Sequence, residues 1–118
     1  MWEMEPTTLY ERRKKHYAKK HPSELASVLS NLHRYLKMLN ELNALGVINA
    51  GYLHPEPNGV KAIDQRSGGK NLAETRLYTF ANVKSKVLYL ITIGNKDSQP
   101  EDIKDSKKFV EFLKKEIG

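Results

Sequence analysis

Four cations stand out in the second half of this chain, three of them close to glycines: Arg66 just before Ser67-Gly68-Gly69, Lys70 just after, and Lys96 two residues past Gly94, with Arg76 opening "RLYTF" between them. Arginine offers a planar fork of donors that matches phosphate oxygens, and lysine offers a compact charge. Glycine, lacking Cβ, lets a backbone come close to a ligand. Together these types suit a phosphate cradle. Tyr78, two residues beyond Arg76 and on the same strand face, would stack a nucleobase if exposed. Asp97 and Asp102 follow Lys96 and supply the nearest carboxylates for proton transfer. His54 is a further candidate base, expected to reach this group only if the Pro55–Gly59 loop folds over the sheet. His16, His21 and His33 are placed on helices, and no pair of them shares metal-ligand spacing with carboxylates on one face, so no metal is expected.

Helices and strands must position these groups. Thr8-x-x-Glu11 matches a capping box opening a helix over about 9–20, "LYERRKKHYAKK", and His21-Pro22 breaks it. Pro22 suits the first turn of a second helix, in which Leu25, Val28, Leu29, Leu32, Tyr35, Leu36, Leu39 and Leu42 recur at steps of three and four. Gly46 is its expected stop. "AGYLHPEPNGVKAIDQRS" reads as short strands near 51–54 and 60–66 around a Pro-Asn-Gly turn, and "LAETRLYTF" with "KVLYLITI" reads as a hairpin. Ser98-x-x-Glu101, with Pro100 between, opens a last helix whose stripe is Ile103, Ser106, Val110, Leu113 and Ile117, flanked by Phe109 and Phe112. "MWEMEPTT" reads poorly as a strand. The expected fold is α+β: two N-terminal helices, an antiparallel sheet of three to four strands and a C-terminal helix, in one domain over 1–118.

Pairing the hairpin around a turn at 82–85 sets Ala81 against Lys86, Arg76 against about Ile91, and Lys70 against about Asp97. Arg66, Lys70, Arg76 and Lys96 then converge on one end of the sheet. The same reasoning sets His54 opposite about Lys61, at the far end from Arg66, six strand residues or roughly 20 Å away.

Composition agrees with an anionic partner. Twenty Lys and Arg against 14 Asp and Glu give a net charge of +6 and a pI near 9.5. The excess belongs to the front and middle, since residues 1–46 hold eight basic and five acidic groups, 47–98 hold seven and four, and 99–118 five of each. Part of it is the basic run "ERRKKHYAKKH" on the first helix. With no cysteine there is no disulfide or thiolate metal site. No apolar run approaches membrane-spanning length and the first residues carry no secretory pattern, so the cytoplasm is expected and a membrane is not.

At "RSGGKN…TRLYTF" and "KVLYLITIGNKDSQPEDI" the chain resembles the RelE/ParE superfamily of toxins from type II toxin–antitoxin systems, nearest its HigB-like or phage Gp49-like branch. The resemblance covers residues 8–115 loosely and 66–103 more specifically. It implies a ribosome-dependent mRNA endonuclease that works without a cofactor and is held in check by a cognate antitoxin. By it, Arg76 would bind the scissile phosphate, Lys96 and Lys70 would fill the family's basic positions, and Lys61 and Arg66 would grip RNA phosphates. The chain departs from the family where a tyrosine or histidine is usual: "NKDSQPED" has neither, which leaves Asp97 or Asp102 as base. Two alternatives stay open, a ParE-type gyrase inhibitor without enzymatic activity and a non-toxic RNA-binding domain.

Overall fold

The structure, a computed structural model, describes residues 1–42 and 50–117. In chain order it comprises β1 (Glu3–Pro6), α1 (Thr8–Lys20), α2 (Pro22–Leu42), β2 (Leu53–Pro55), a 3₁₀ turn (Pro57–Gly59), β3 (Val60–Ile63), β4 (Thr75–Asn82), β5 (Val87–Asn95) and α3 (Gln99–Ile117). The strands form one sheet in the order β1-β5-β4-β3-β2. The α+β layout of two leading helices, sheet and closing helix is as expected, but the sheet has five strands and is mixed. β1 runs parallel to β5, pairing Glu3 with Val87 through Pro6 with Leu90.

The reason β1 is hard to see in the sequence is that all four of its side chains are exposed, so no alternation betrays it. Backbone bonds and its neighbours hold it instead. Glu3 N–H donates to the Lys86 carbonyl, Trp2 is buried beside the strand, and Trp2 N–H donates to Asn40 Oδ1 on α2. Pro6, lacking an N–H, is tolerable on this edge.

α1 is capped one residue before the expected Thr8. Thr7 is the N-cap: its Oγ1 accepts from Tyr10 N–H at 3.0 Å and donates to the Ile91 carbonyl at 2.6 Å, pinning the helix start to β5. Leu25, Val28, Leu32, Tyr35 and Leu39 bury the stripe of α2. Gly46, the expected stop, lies outside the described residues.

Helices cover both sheet faces. α1 and α2 close over Ile63, Leu77, Leu88, Leu90 and Ile93. α3 closes over Val60, Ala62, Tyr78 and Ile91 with Val110, flanked by Ile103 and Phe109. Two covered faces explain why β4 and β5 are apolar on both sides. On α3, Ser106, Val110 and Leu113 are buried, as the periodicity predicts, while Phe112 stands in solvent.

The hairpin register differs from expectation. Ala81 pairs with Leu88 and Arg76 with Gly94, because the turn sits at 83–86 and a bulge between Tyr78 and Thr79 adds Ile91 to the β5 side. Arg76 therefore lies three residues further along β5 than simple counting puts it. β3 also stops at Ile63, so Asp64, Gln65 and Arg66 belong to the following loop.

Candidate functional site

The end of the sheet where β3 finishes and β4 begins gathers the most chemistry. Asn31, buried on α2, donates through Nδ2 to the carbonyls of Asp64 and Arg66, each at 2.9 Å. Asp64 N–H donates to the Tyr52 carbonyl. With its backbone fixed from both sides, the Asp64 carboxylate makes three bonds. Oδ1 accepts from Arg66 N–H at 2.8 Å, an Asx turn. Oδ2 accepts from His54 Nε2 at 2.6 Å and faces Arg66 Nε at 3.2 Å. Asp64 is 6% exposed, His54 24% and Arg66 61%. The carboxylate is thus an interior anchor, the imidazole sits at the boundary, and the guanidinium reaches solvent.

His54 is therefore not remote from Arg66. It pairs with Ala62, one step from the expected Lys61, and β3 is too short for the inferred separation. Asp64 bridges the two residues. Because the ionised carboxylate only accepts, His54 gives it Nε2–H, which leaves the Nδ1 lone pair as the basic site of the neutral ring. The sequence does not mark Asp64 as a site residue, because "AIDQRS" reads as continuing strand; its one signal is Asp-x-Arg, the spacing of an Asx turn.

Arg76 reaches the same sheet end but is already held. Nη2 lies 3.1 Å from Glu74 Oε1 and Nη1 lies 3.5 Å from Glu56 Oε2, with the side chain largely buried and Nε buried without a partner. Gln99 Nε2 donates to the same Glu74 oxygen, which ties the start of α3 to this group. A guanidinium between two carboxylates is a framework ion pair rather than an open phosphate ligand.

The glycines serve packing within the chain. A Cβ on Gly94 would overlap Asp102 Oδ2 and Ser98 Oγ, and one on Gly68 would overlap Ser27 Oγ. The neighbour that comes close to Gly94 is Asp102, which is completely buried. Its Oδ1 lies 2.6 Å from Arg13 Nη1 and its Oδ2 accepts from Ser98 Oγ at 2.7 Å. Arg13 also donates to Thr92 Oγ1, so one cation from α1 locks β5 to α3. Asp102 is in this way a buried, paired carboxylate, whereas Asp97 is exposed in the β5–α3 turn beside Lys96.

Tyr78 lies in the interior, so it offers no stacking face to a base, and burial pushes its phenol pKa upward. Lys61 points to the opposite sheet face from Ala62, towards the other end of β3, and its carbonyl accepts from Thr79 Oγ1. Lys70 is exposed on the 64–74 loop. That loop is tied to α2 by Glu24, whose carboxylate accepts from Ala73 N–H and is held below its usual pKa mainly by that bond. Of the expected site residues the structure thus brings His54 and Arg66 into contact through Asp64 and sets Arg76, Lys96 and Asp97 at the same sheet end. It leaves Lys61, Tyr78 and Asp102 out of that solvent-facing group.

Among the described residues no cluster of three or more His, Asp or Glu side chains is arranged to hold a metal ion, and no helix is long and apolar enough to cross a membrane. The chain matches no family model, no curated protein and no solved structure.

Proposed function

We propose that this protein is an endoribonuclease acting on single-stranded mRNA, with His54 as general base, Asp64 as its orienting carboxylate and Arg66 as the phosphate ligand. The carrying observation is the shared Asp64 carboxylate, 2.6 Å from His54 Nε2 and 3.2 Å from Arg66 Nε. An imidazole held in one tautomer by a buried carboxylate is a competent proton acceptor, and an exposed arginine beside it is a competent oxyanion ligand. In the reaction, His54 Nδ1 takes the proton of an RNA 2′-hydroxyl, and the 2′-oxygen attacks the adjacent phosphorus. The P–O5′ bond breaks, leaving a 2′,3′-cyclic phosphate and a 5′-hydroxyl that gains its proton from water. Arg66 neutralises charge on the phosphoryl oxygens as it builds. The +6 net charge favours encounter with a polyanion.

The likeness to RelE and HigB toxins extends this reading to the ribosome as the place of cleavage, to a cognate antitoxin as partner, and to the cytoplasm. Arg76, paired with Glu56 and Glu74, then braces the same sheet end, and Lys96 and Lys70 attract RNA from solvent. Tightly induced expression of the chain alone tests it. The wild type arrests growth and His54→Ala at equal abundance does not; unimpaired growth with verified folded wild type refutes the toxin.

A second reading, a binder without enzymatic activity such as a ParE-type gyrase inhibitor or a plain RNA-binding domain, draws on the state of the last helix. Its Asp102 is locked in an ion pair and Asp97 is fully solvated, so neither resembles a poised base. Growth arrest that persists in His54→Ala, without new mRNA ends, selects the gyrase inhibitor, and unimpaired growth with steeply salt-dependent RNA binding selects the RNA-binding domain.

A further inference from the structure

On the other side of the same sheet end, away from the His54 group, α1 and the end of β5 enclose a cleft of about 370 Å³. Helical spacing builds one wall: Arg12 and His16 are four apart, as are Arg13 and Tyr17, and His21 follows where the helix stops before Pro22. The facing wall is Ile93, Gly94 and Asn95 of β5 with Ser98. These residues meet because Thr7 and Arg13 bind α1 to β5 through the Ile91 carbonyl and Thr92 Oγ1. The walls thus belong to one helix and one strand that are bonded to each other beside the cleft.

Its chemistry is divided in a way that suits one kind of ligand. Arg13 is committed to Asp102. Arg12 is exposed and, among the described residues, has no carboxylate within ion-pair distance. A solvent-facing arginine at the mouth of a cleft is free to take a phosphate. Beside it lies an aromatic wall. The His21 ring stands 5.3 Å from Tyr17 and 6.3 Å from His16, with Tyr17 buried behind and both imidazoles open to solvent. Flat faces of this kind stack a heterocyclic base. Asn95 Nδ2 adds a polar edge for the ring nitrogens or the sugar, while the Ser98 hydroxyl is taken up by Asp102 and the Asn95 backbone. The acids that face this wall are both engaged: Asp102 pairs with Arg13, and Glu24 is turned to the Ala73 N–H, so neither answers Arg12.

We infer that this cleft is a nucleotide-binding site, in which Arg12 takes the phosphate and the imidazole of His21 takes the base. Its size lies within the range of small-ligand pockets and exceeds what a bare phosphate needs. The site stands independently of cleavage at His54, because it uses a different element pair and none of that group's residues. The nucleotide is either free or one unit of a single strand running over the sheet end.

Histidine and backbone NMR with 5′-AMP, adenosine, inorganic phosphate and a short oligoribonucleotide tests the inference. 5′-AMP shifts the His16 and His21 ring signals and the Gly94 and Asn95 amides along one saturable curve. Adenosine and inorganic phosphate each bind about tenfold or more weakly, since each lacks half of the contacts. Arg12→Ala weakens 5′-AMP about tenfold, whereas Lys19→Ala, which removes equal charge from the same helix outside the cleft, leaves it unchanged. His21→Ala weakens 5′-AMP but not inorganic phosphate. An oligoribonucleotide that displaces 5′-AMP identifies a strand as the source, and one that does not identifies the free nucleotide. Absence of saturable shifts, inorganic phosphate binding as well as 5′-AMP, or equal losses in Arg12→Ala and Lys19→Ala would overturn the site.

Discussion

Replacing Arg13 by methionine strips the interior carboxylate of Asp102 of its cation while keeping much of the apolar stem. Asp102 is completely buried, and its two partners are Arg13 Nη1 at 2.6 Å and Ser98 Oγ at 2.7 Å. Breaking a buried pair by removing one partner costs about 3–5 kcal/mol, because the remaining charge is uncompensated. Arg13 is itself 33% exposed, so water already screens part of the pair and the lower end, about 3 kcal/mol, applies. The reverse change, Asp102→Ala, should cost less, about 1.5 kcal/mol, since the freed arginine can turn to solvent and only a small void and a favourable helix-end charge are lost. The double variant should then resemble Asp102→Ala, which gives about 3 kcal/mol of coupling in the cycle. Urea unfolding followed by far-UV circular dichroism and by fluorescence of Trp2, the single tryptophan, measures all four proteins. A loss under about 0.5 kcal/mol for Arg13→Met, or additive single losses, would refute the reasoning that this pair locks α1, β5 and α3 together.

Other consequences follow from the same contacts. Gly94→Ala should destabilise the fold by about 2–3 kcal/mol, because the new methyl meets the buried Asp102 carboxylate and Ser98 hydroxyl, and a urea midpoint equal to wild type would contradict this. Arg76→Ala should lower stability by about 1–3 kcal/mol by leaving Glu56 and Glu74 facing each other, and adding Glu56→Gln and Glu74→Gln should recover part of the loss. Alkali should weaken the fold from pH 10 upward: burial lifts the Tyr35 phenol from 10.0 to about 12, so between those values the folded state keeps a proton that the unfolded chain has released. Stability is therefore whole below pH 10 and falls with pH through that window by about 1.4 kcal/mol per unit for Tyr35, with Tyr78 steepening the slope; a flat profile from pH 10 to 12 would refute it.

How much of this was legible in the sequence depends on which residues carry the signal. α2 could be read from its leucine stripe and α3 from Ser106, Val110 and Leu113, because a helix packed on one side repeats its apolar residues. β1 was illegible for the opposite reason: an edge strand held by backbone bonds with exposed side chains leaves no period-two trace. The arrival of Arg66, Arg76 and Lys96 at one end of the sheet followed from strand pairing alone, since an error of a few residues does not move a strand terminus. Their partners did not follow. Glu56 and Glu74 neutralise Arg76 from a turn and a loop whose paths no pattern specifies, and the bulge that brings Arg76 opposite Gly94 has no sequence mark beyond the misfit it causes. The same holds for His54 and Asp64, joined because β3 stops three residues before the expected strand end. Gly94 was correctly singled out as a place of close approach, but the approaching group is Asp102 of the chain itself.

In the proposed reaction His54, oriented by Asp64, removes a 2′-hydroxyl proton from RNA. Sequencing of RNA termini after incubating purified protein with ribosomes on a defined mRNA tests it most directly. Wild type should generate new 2′,3′-cyclic phosphate and 5′-hydroxyl ends, and His54→Ala about 10²–10⁴-fold fewer at equal fold stability. Undiminished cleavage by folded His54→Ala, or no cleavage by the wild type, would contradict it.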